Sequence, residues 1–415
     1  MVPIKRRHFL QTSAGAAPLA WVAGCSPEAA RQPAGPTREA LDKAAARPVV
    51  DFSAVKSPVV IDSIRVLKNH GECFLHVRSK DGAEGISVTN GREYLHPILK
   101  ELLVPYFLGK DVRDLETHLW ELYRFQSNYK MQGLAFWSPH AWVEFALLDM
   151  FGRILGKSIA ELIGGVVREE VPYYVASGRR DSTPEEEVEY LQGLLAETGA
   201  RAVKFRLGGR MSLNADALPG RSEALIRLAR KRLGDAIDLH GDANSSYDAP
   251  KAIEIGRLLE EVKAVYFEEP CRFDHLEETK VVADTLTIPV AGGEQEFSDW
   301  RFRWMIANRG VDIVQPDLQY YGGMIRSVRV ARMADTAGMP TTVHISGGFG
   351  FVYMLHFAAA IKDPGEYQEY KQGIKKYGAW FDPPLATKDG AFLTPRGPGV
   401  GIRDIAALLK DAVEV

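Results

Sequence analysis

The sequence predicts an α/β protein in which a small N-terminal α+β domain precedes a (β/α) barrel of the triosephosphate isomerase type. Three observations predict it. Between Val59 and Val88, three short apolar-alternating runs are separated by turn residues, and helical periodicity follows. After Val171 short apolar runs alternate with helical segments, which is the grammar of parallel β/α units. Those later runs end in polar or charged residues, the position at which barrels of this type carry reactive groups.

The first segment reads as an address. Lys5-Arg6-Arg7-His8-Phe9-Leu10 opens a small-residue, acid-free stretch, the pattern of a twin-arginine export signal. It closes on Val22-Ala23-Gly24-Cys25, which resembles a bacterial lipobox whose cysteine takes a lipid. A soluble signal with an unmodified cysteine is the alternative. The expectation is export to the periplasm or cell envelope with a lipid anchor at Cys25. Residues 1–24 are assigned to the signal and 25–57, rich in Ala, Pro and Arg without periodicity, to a tether.

The remaining composition is that of an ordinary globular protein. The 415 residues exceed one average domain of ~150. Hydrophobic residues make up 46% and the net charge is −3, too little positive charge for nucleic-acid binding. The 3 cysteines rule out a disulfide framework. No apolar run reaches the ~18 residues of a spanning helix.

Residues 58–168 form the first domain. Strands are expected at 59–67, 73–78 and 85–88, with turns at Asn69-His70-Gly71-Glu72 and Asp81-Gly82. Helices are expected at 97–108, 115–125 and 141–155. Residues 169–371 form the barrel, with eight strands at 171–176, 202–207, 237–242, 264–268, 288–292, 312–315, 340–344 and 367–370. Thr183-Pro184-Glu185 and Asp248-Ala249-Pro250 start helices between them. A doubly wound sheet is the alternative, but it wants a glycine-rich loop after its first strand, and Ser177-Gly178-Arg179-Arg180 is not one. Residues 372–415 remain as a C-terminal segment.

The strand ends carry the chemistry: Lys204-Phe205-Arg206, Asp242-Ala243-Asn244, Glu268-Glu269-Pro270, Gly293-Glu294, Gln315-Pro316-Asp317, His344 and Glu369. Asp242, Glu268 and Glu294 recur at intervals of 26 residues, one β/α unit each. Residues two apart on a strand share a face, so Lys204 and Arg206 both address the barrel mouth. Three carboxylates converging there repel unless a cation holds them, and all-oxygen ligation favours a hard divalent ion. A single acid at such a loop is as readily a helix N-cap; three in phase on consecutive strands are not explained that way.

In this order, with Gly322-Gly323 after Asp317, these motifs resemble the enolase superfamily in its mandelate-racemase-like branch, from about Val59 to the C-terminus. The resemblance implies a modified (β/α)7β barrel, with the N-terminal domain and residues 372–415 forming a cap that governs specificity. It implies Mg2+ on Asp242, Glu268 and Glu294, with Glu269 facing the opposite way. It also implies an Asp317–His344 dyad, Glu369 at the end of the last strand, and a homo-oligomer.

The family abstracts the proton α to a carboxylate, and cations near the developing enediolate lower that barrier. In the branch's racemases the residue at position 206 is a second base; here it is arginine, and a guanidinium keeps its proton. His344, oriented by Asp317, is then the competent base, and one base suits elimination. The reading is a dehydratase of a small sugar acid, in which His344 removes the α-proton and, as imidazolium, protonates the departing hydroxyl. Lys204 assists the metal, and Glu369 polarises the enediolate or binds a hydroxyl. Two alternatives stay open: a racemase or epimerase using Lys204 and His344 on opposite faces, and a non-catalytic sugar-acid-binding lipoprotein. His240 reads as packed beneath Asp242, His70 as an exposed turn residue, Arg210 and Arg221 as loop charges, and Tyr320 and Tyr321 as pocket-lining or core.

Overall fold

The computed structural model describes residues 35–415; the twin-arginine motif and Cys25 lie outside them. Strands β1 (Ile61–Asn69), β2 (Glu72–Ser79) and β3 (Glu84–Val88) form the antiparallel meander that the alternation predicts. The helix Leu134–Leu155 covers this sheet and is buried over most of its length. Seven strands follow: β4 (Glu170–Ala176), β5 (Ala202–Arg206), β6 (Asp238–Asp242), β7 (Tyr266–Glu268), β8 (Val290–Gly292), β9 (Ile313–Val314) and β10 (Gln368–Tyr370). They run parallel in the order β10-β4-β5-β6-β7-β8-β9, with helices between them as expected of β/α units.

Two expectations need correction. The seventh expected strand, 340–344, is not one. It touches the β9 edge through isolated bridges, Val314–Thr341 and Asp317–His344, and has no backbone ladder to β10. The barrel is therefore not closed by main-chain pairing. Side chains span the gap: Gln368 Oε1 accepts the Val343 N–H at 2.9 Å and Glu369 Oε2 accepts that of Ile345 at 2.9 Å. Pro340, which has no N–H, begins the segment, so regular pairing lacks a donor where it would start.

The tether reading also fails for residues 35–57. Arg38–Ala45 is a helix, begun by a Thr37 side chain that accepts from the Ala40 N–H and favoured by Glu39 in its first turn and Lys43 in its last. Leu41, Val49 and Val50 are buried in the main core. Asp42 accepts from Arg303, and the Val49 N–H donates to Glu116. Leu41 is the one buried residue of this eight-residue helix, and a single anchor among alanines is too faint a periodicity to read from sequence.

The C-terminal segment divides. β13 (Val413–Glu414) joins the edge of β1, whereas β11 (Thr387–Lys388) and β12 (Ala391–Leu393) form a hairpin on β4, below the stretch that pairs with β10. Cap and barrel meet at Gly322-Gly323, both at positive φ; a Cβ on Gly322 would collide with the Trp137 indole and one on Gly323 with the Glu144 carboxylate. No helix among the described residues is long and apolar enough to cross a membrane. Cys73 and Cys271 are buried free thiols.

Three fully buried histidines tie this core to pH. Each bonds a carbonyl, His140 that of Gly322, His240 that of Val203 and His356 that of Val400. Burial pushes each imidazole down to about 4 from an ordinary 6.5. The unfolded chain takes up these protons from about pH 6.5 and the native state only near 4, so stability is lost as pH falls through that window. The urea midpoint is expected to drop between pH 7 and pH 5, with a shallower slope in His356→Gln; a midpoint independent of pH there would contradict the assignment.

Candidate active site

The register of the parallel ladder sets the site. Arg206 pairs with Asp242, and Asp242 with Glu268, so the C-terminal ends of β5, β6 and β7 present these side chains at one level. Glu294 follows β8, Asp317 follows β9, and Glu369 is on β10. All eight side chains singled out in the sequence, Lys204, Arg206, Asp242, Glu268, Glu294, Asp317, His344 and Glu369, are buried in this one region.

Asp242, Glu268 and Glu294 each place a carboxylate oxygen within 4.8 Å of the others. Lys204 Nζ bridges β7 and β10, 2.7 Å from Glu268 Oε2 and 3.0 Å from Glu369 Oε1, and lies 3.5 Å from Asp242. Arg206 pairs with Asp242 and donates to Ser177 O at 2.9 Å. Burial alone would lower the pKa of the Lys204 ammonium, but the Glu268 and Glu369 carboxylates outweigh it and hold it above the ordinary lysine value. Burial likewise opposes ionisation of Glu369, and Lys204 and Lys371 reverse it, keeping that carboxyl well below the usual range.

Four carboxylates, Asp242, Glu268, Glu294 and Glu369, thus face three cations, Lys204, Arg206 and, 3.6 Å from Glu369, Lys371. The excess is one negative charge, and Glu294 Oε2 is a buried atom with no hydrogen-bond donor. An oxygen-only donor set with that deficit fits one hard divalent cation.

On the other side of Glu294, His344 Nδ1–H donates to Asp317 Oδ2 at 2.7 Å. The backbone N–H groups of Gln319 and Tyr320 fix Asp317 Oδ1 at 2.8 and 3.0 Å. This holds the imidazole tautomer with Nε2 unprotonated, 3.5 Å from Glu294 Oε2, where it can take a proton. The ring of Tyr320 is 5.9 Å from that of His344, and Arg92, from the cap, stacks 4.8 Å over Tyr320.

Alternation places Glu269 facing away from the mouth. Instead Glu269, at a φ of 40°, is buried within electrostatic reach of Glu294, and burial with the charges of Glu294 and Glu268 raises its pKa well above the usual range. That carboxyl lies outside the triad of converging oxygens. His240 packs on Tyr174 beneath Lys204, as expected. Arg221 is buried and donates to the carbonyls of Ser182 and Arg206, so it braces a loop; His70 and Arg210 are exposed.

Four further residues belong to this region beyond those eight. Arg180 donates to Asn244, and burial together with Arg206, Arg210 and Arg221 lowers its guanidinium to about 9. Gln315 Nε2 donates to Glu268 at 3.2 Å. Arg92 reaches in from the cap, which no local pattern announces. Lys371 stands 3.4 Å from His344 Nε2, and its signal was available: it lies two residues beyond Glu369, at the strand period.

Known proteins match over both parts of the chain. Residues 47–164 match the mandelate racemase/muconate lactonizing enzyme N-terminal domain, and residues 186–404 match the enolase C-terminal domain-like family. The chain is 28% identical to the arabinonate dehydratase of Saccharolobus solfataricus over 74% of its length and 80% of that protein's. It is 29% identical to the D-galactonate dehydratase of Xanthomonas axonopodis pv. citri over 82% of its length and 91% of that protein's. The solved structure of a proposed racemase from Roseobacter denitrificans superposes with a TM-score of 0.79 at 34% identity, covering 86% of this chain and 99% of that one.

Proposed function

The chain belongs to the mandelate racemase/muconate lactonizing enzyme family of the enolase superfamily, and on that footing we propose that it is a magnesium-dependent dehydratase of acid sugars, a carbon–oxygen lyase. The observation that carries this reading is that one group at the site is arranged to accept a proton. Lys204 is held protonated by Glu268 and Glu369, and Arg206 is a guanidinium paired with Asp242. Racemisation needs a base on each face of the substrate, and neither residue serves. His344 does, with its tautomer fixed by Asp317. The names of the arabinonate and D-galactonate dehydratases support the same reaction class.

Asp242, Glu268 and Glu294 would hold the ion, which would supply Lewis-acid stabilisation of the enediolate. His344 Nε2 removes the α-proton. Lys204 places its charge beside the enediolate oxygens, and the guanidiniums of Arg206 and Arg180, both on Asn244, orient the substrate carboxylate. Elimination of the β-hydroxyl gives an enol that becomes a 2-keto-3-deoxy acid. A sugar-acid-binding protein has no use for the dyad, which is the argument against that alternative.

Purified protein with magnesium, offered a panel of aldonates and aldarates, should give keto acid from at least one. Epimerised acid without keto acid would overturn the elimination reading. We also propose export by the twin-arginine route from Arg6-Arg7; replacing both by lysine should retain the protein in the cytoplasm, and unchanged fractionation would refute it.

A further inference from the structure

We propose that Lys371 is the acid that protonates the departing hydroxyl, leaving His344 to act as base alone. This rests on the dehydratase reading and divides its chemistry between two groups. Elimination of a β-hydroxyl needs a proton delivered to a poor leaving group, and in a one-imidazole scheme the nitrogen that takes the α-proton must carry it to the neighbouring oxygen. Here a second donor touches that nitrogen: Lys371 Nζ is 3.4 Å from His344 Nε2. Donation to Ile345 O at 2.6 Å and the Glu369 carboxylate at 3.6 Å keep the ammonium in place when substrate approaches the imidazole.

The other cations of the site are committed. Lys204 is fully buried between two carboxylates, and Arg206 and Arg180 are guanidiniums bonded to Asn244. Lys371, with a side chain 26% exposed, is the amine among the described residues of this site that stays open to the mouth. An N–H···N contact between the two side chains is satisfied by a neutral imidazole and an ammonium, the states in which one accepts and the other donates.

The bonds balance. The Cα–H bond breaks, its proton goes to His344 Nε2, and its electron pair forms the enediolate. On collapse the pair forms Cα=Cβ, the Cβ–O bond breaks, and the oxygen takes a proton from Lys371 Nζ and leaves as water. The imidazolium then returns its proton across the 3.4 Å contact to the amine, restoring both groups. The enol loses its O–H proton and gains one at Cβ from solvent, so the net change is loss of one water without redox. Because base and acid are neighbours, the α-proton and the hydroxyl depart from the same face.

The test uses full-length Lys371→Met and Lys371→Arg with magnesium in deuterium oxide, on an acid sugar that the wild type dehydrates. Keto acid and α-deuterium in recovered substrate are measured together. Keto-acid formation is expected to fall by ~10²–10⁴-fold while exchange persists, so the ratio of exchange to elimination rises by at least about 100-fold. Lys371→Arg keeps the charge and the donor to Ile345 but gives up no proton, so it carries the comparison if the methionine variant does not fold. A merely structural role lowers both rates and leaves the ratio unchanged; that result, or undiminished keto acid, overturns the assignment alone. Absence of keto acid from the wild type overturns the dehydratase reading and this assignment with it.

Discussion

Replacing His344 by asparagine is expected to abolish keto-acid formation and α-proton exchange together, each by about 10⁴-fold, the upper end of what a positioned acid–base group contributes. Both must fall because the other groups in reach are cations: Lys204 is held protonated by Glu268 and Glu369, Arg206 and Arg180 are guanidiniums, and Lys371 is an ammonium that donates to Ile345 O beside Glu369. Substrate affinity, set on this account by the cation and the arginines, should change by no more than about threefold. Calorimetric titration, a keto-acid assay and deuterium incorporation separate the three quantities. Exchange that survives in His344→Asn would move the base elsewhere and reopen the two-base epimerase.

The second large effect concerns the triad. Glu294→Gln should weaken divalent-ion binding by at least about 100-fold, since loss even of a residue that only supports a ligand costs ~10–100-fold. Glu294 is the sensitive position because its Oε2 has no donor, whereas Asp242 and Glu268 keep Arg206 and Lys204 as partners. A ligand that binds only the native state stabilises it by mass action, about 2.7 kcal/mol at 100 times its Kd. Magnesium should therefore raise the unfolding midpoint of the wild type, chelator should reverse it, and neither should move Glu294→Gln. Equal shifts in both proteins would place the ion elsewhere.

Much of this site was legible because strand geometry turns spacing into position. Lys204 and Arg206 share a face by the two-residue period, and the 26-residue interval brings Asp242, Glu268 and Glu294 to successive strand ends. Legibility ended where the backbone departs from those periods. Glu269 was expected to face away, but its positive φ breaks the alternation and places its carboxyl near Glu294. The segment 340–344 has the composition of a strand, yet the side chains of Gln368 and Glu369 take donors that a ladder would use. Arg92 comes from a different domain, and only tertiary packing brings it over Tyr320. Lys371 obeys the two-residue rule from Glu369, but its contact with His344 joins two strand ends that the spacing alone does not pair.

The eight residues make one mechanism only if a divalent cation sits where the three acids converge. Crystals grown with manganese, measured at its absorption edge, locate that ion directly. The account predicts a single anomalous peak bonded to an oxygen of each of Asp242, Glu268 and Glu294, on the side facing His344 Nε2. A peak bonded elsewhere, or none at saturating manganese, would contradict it.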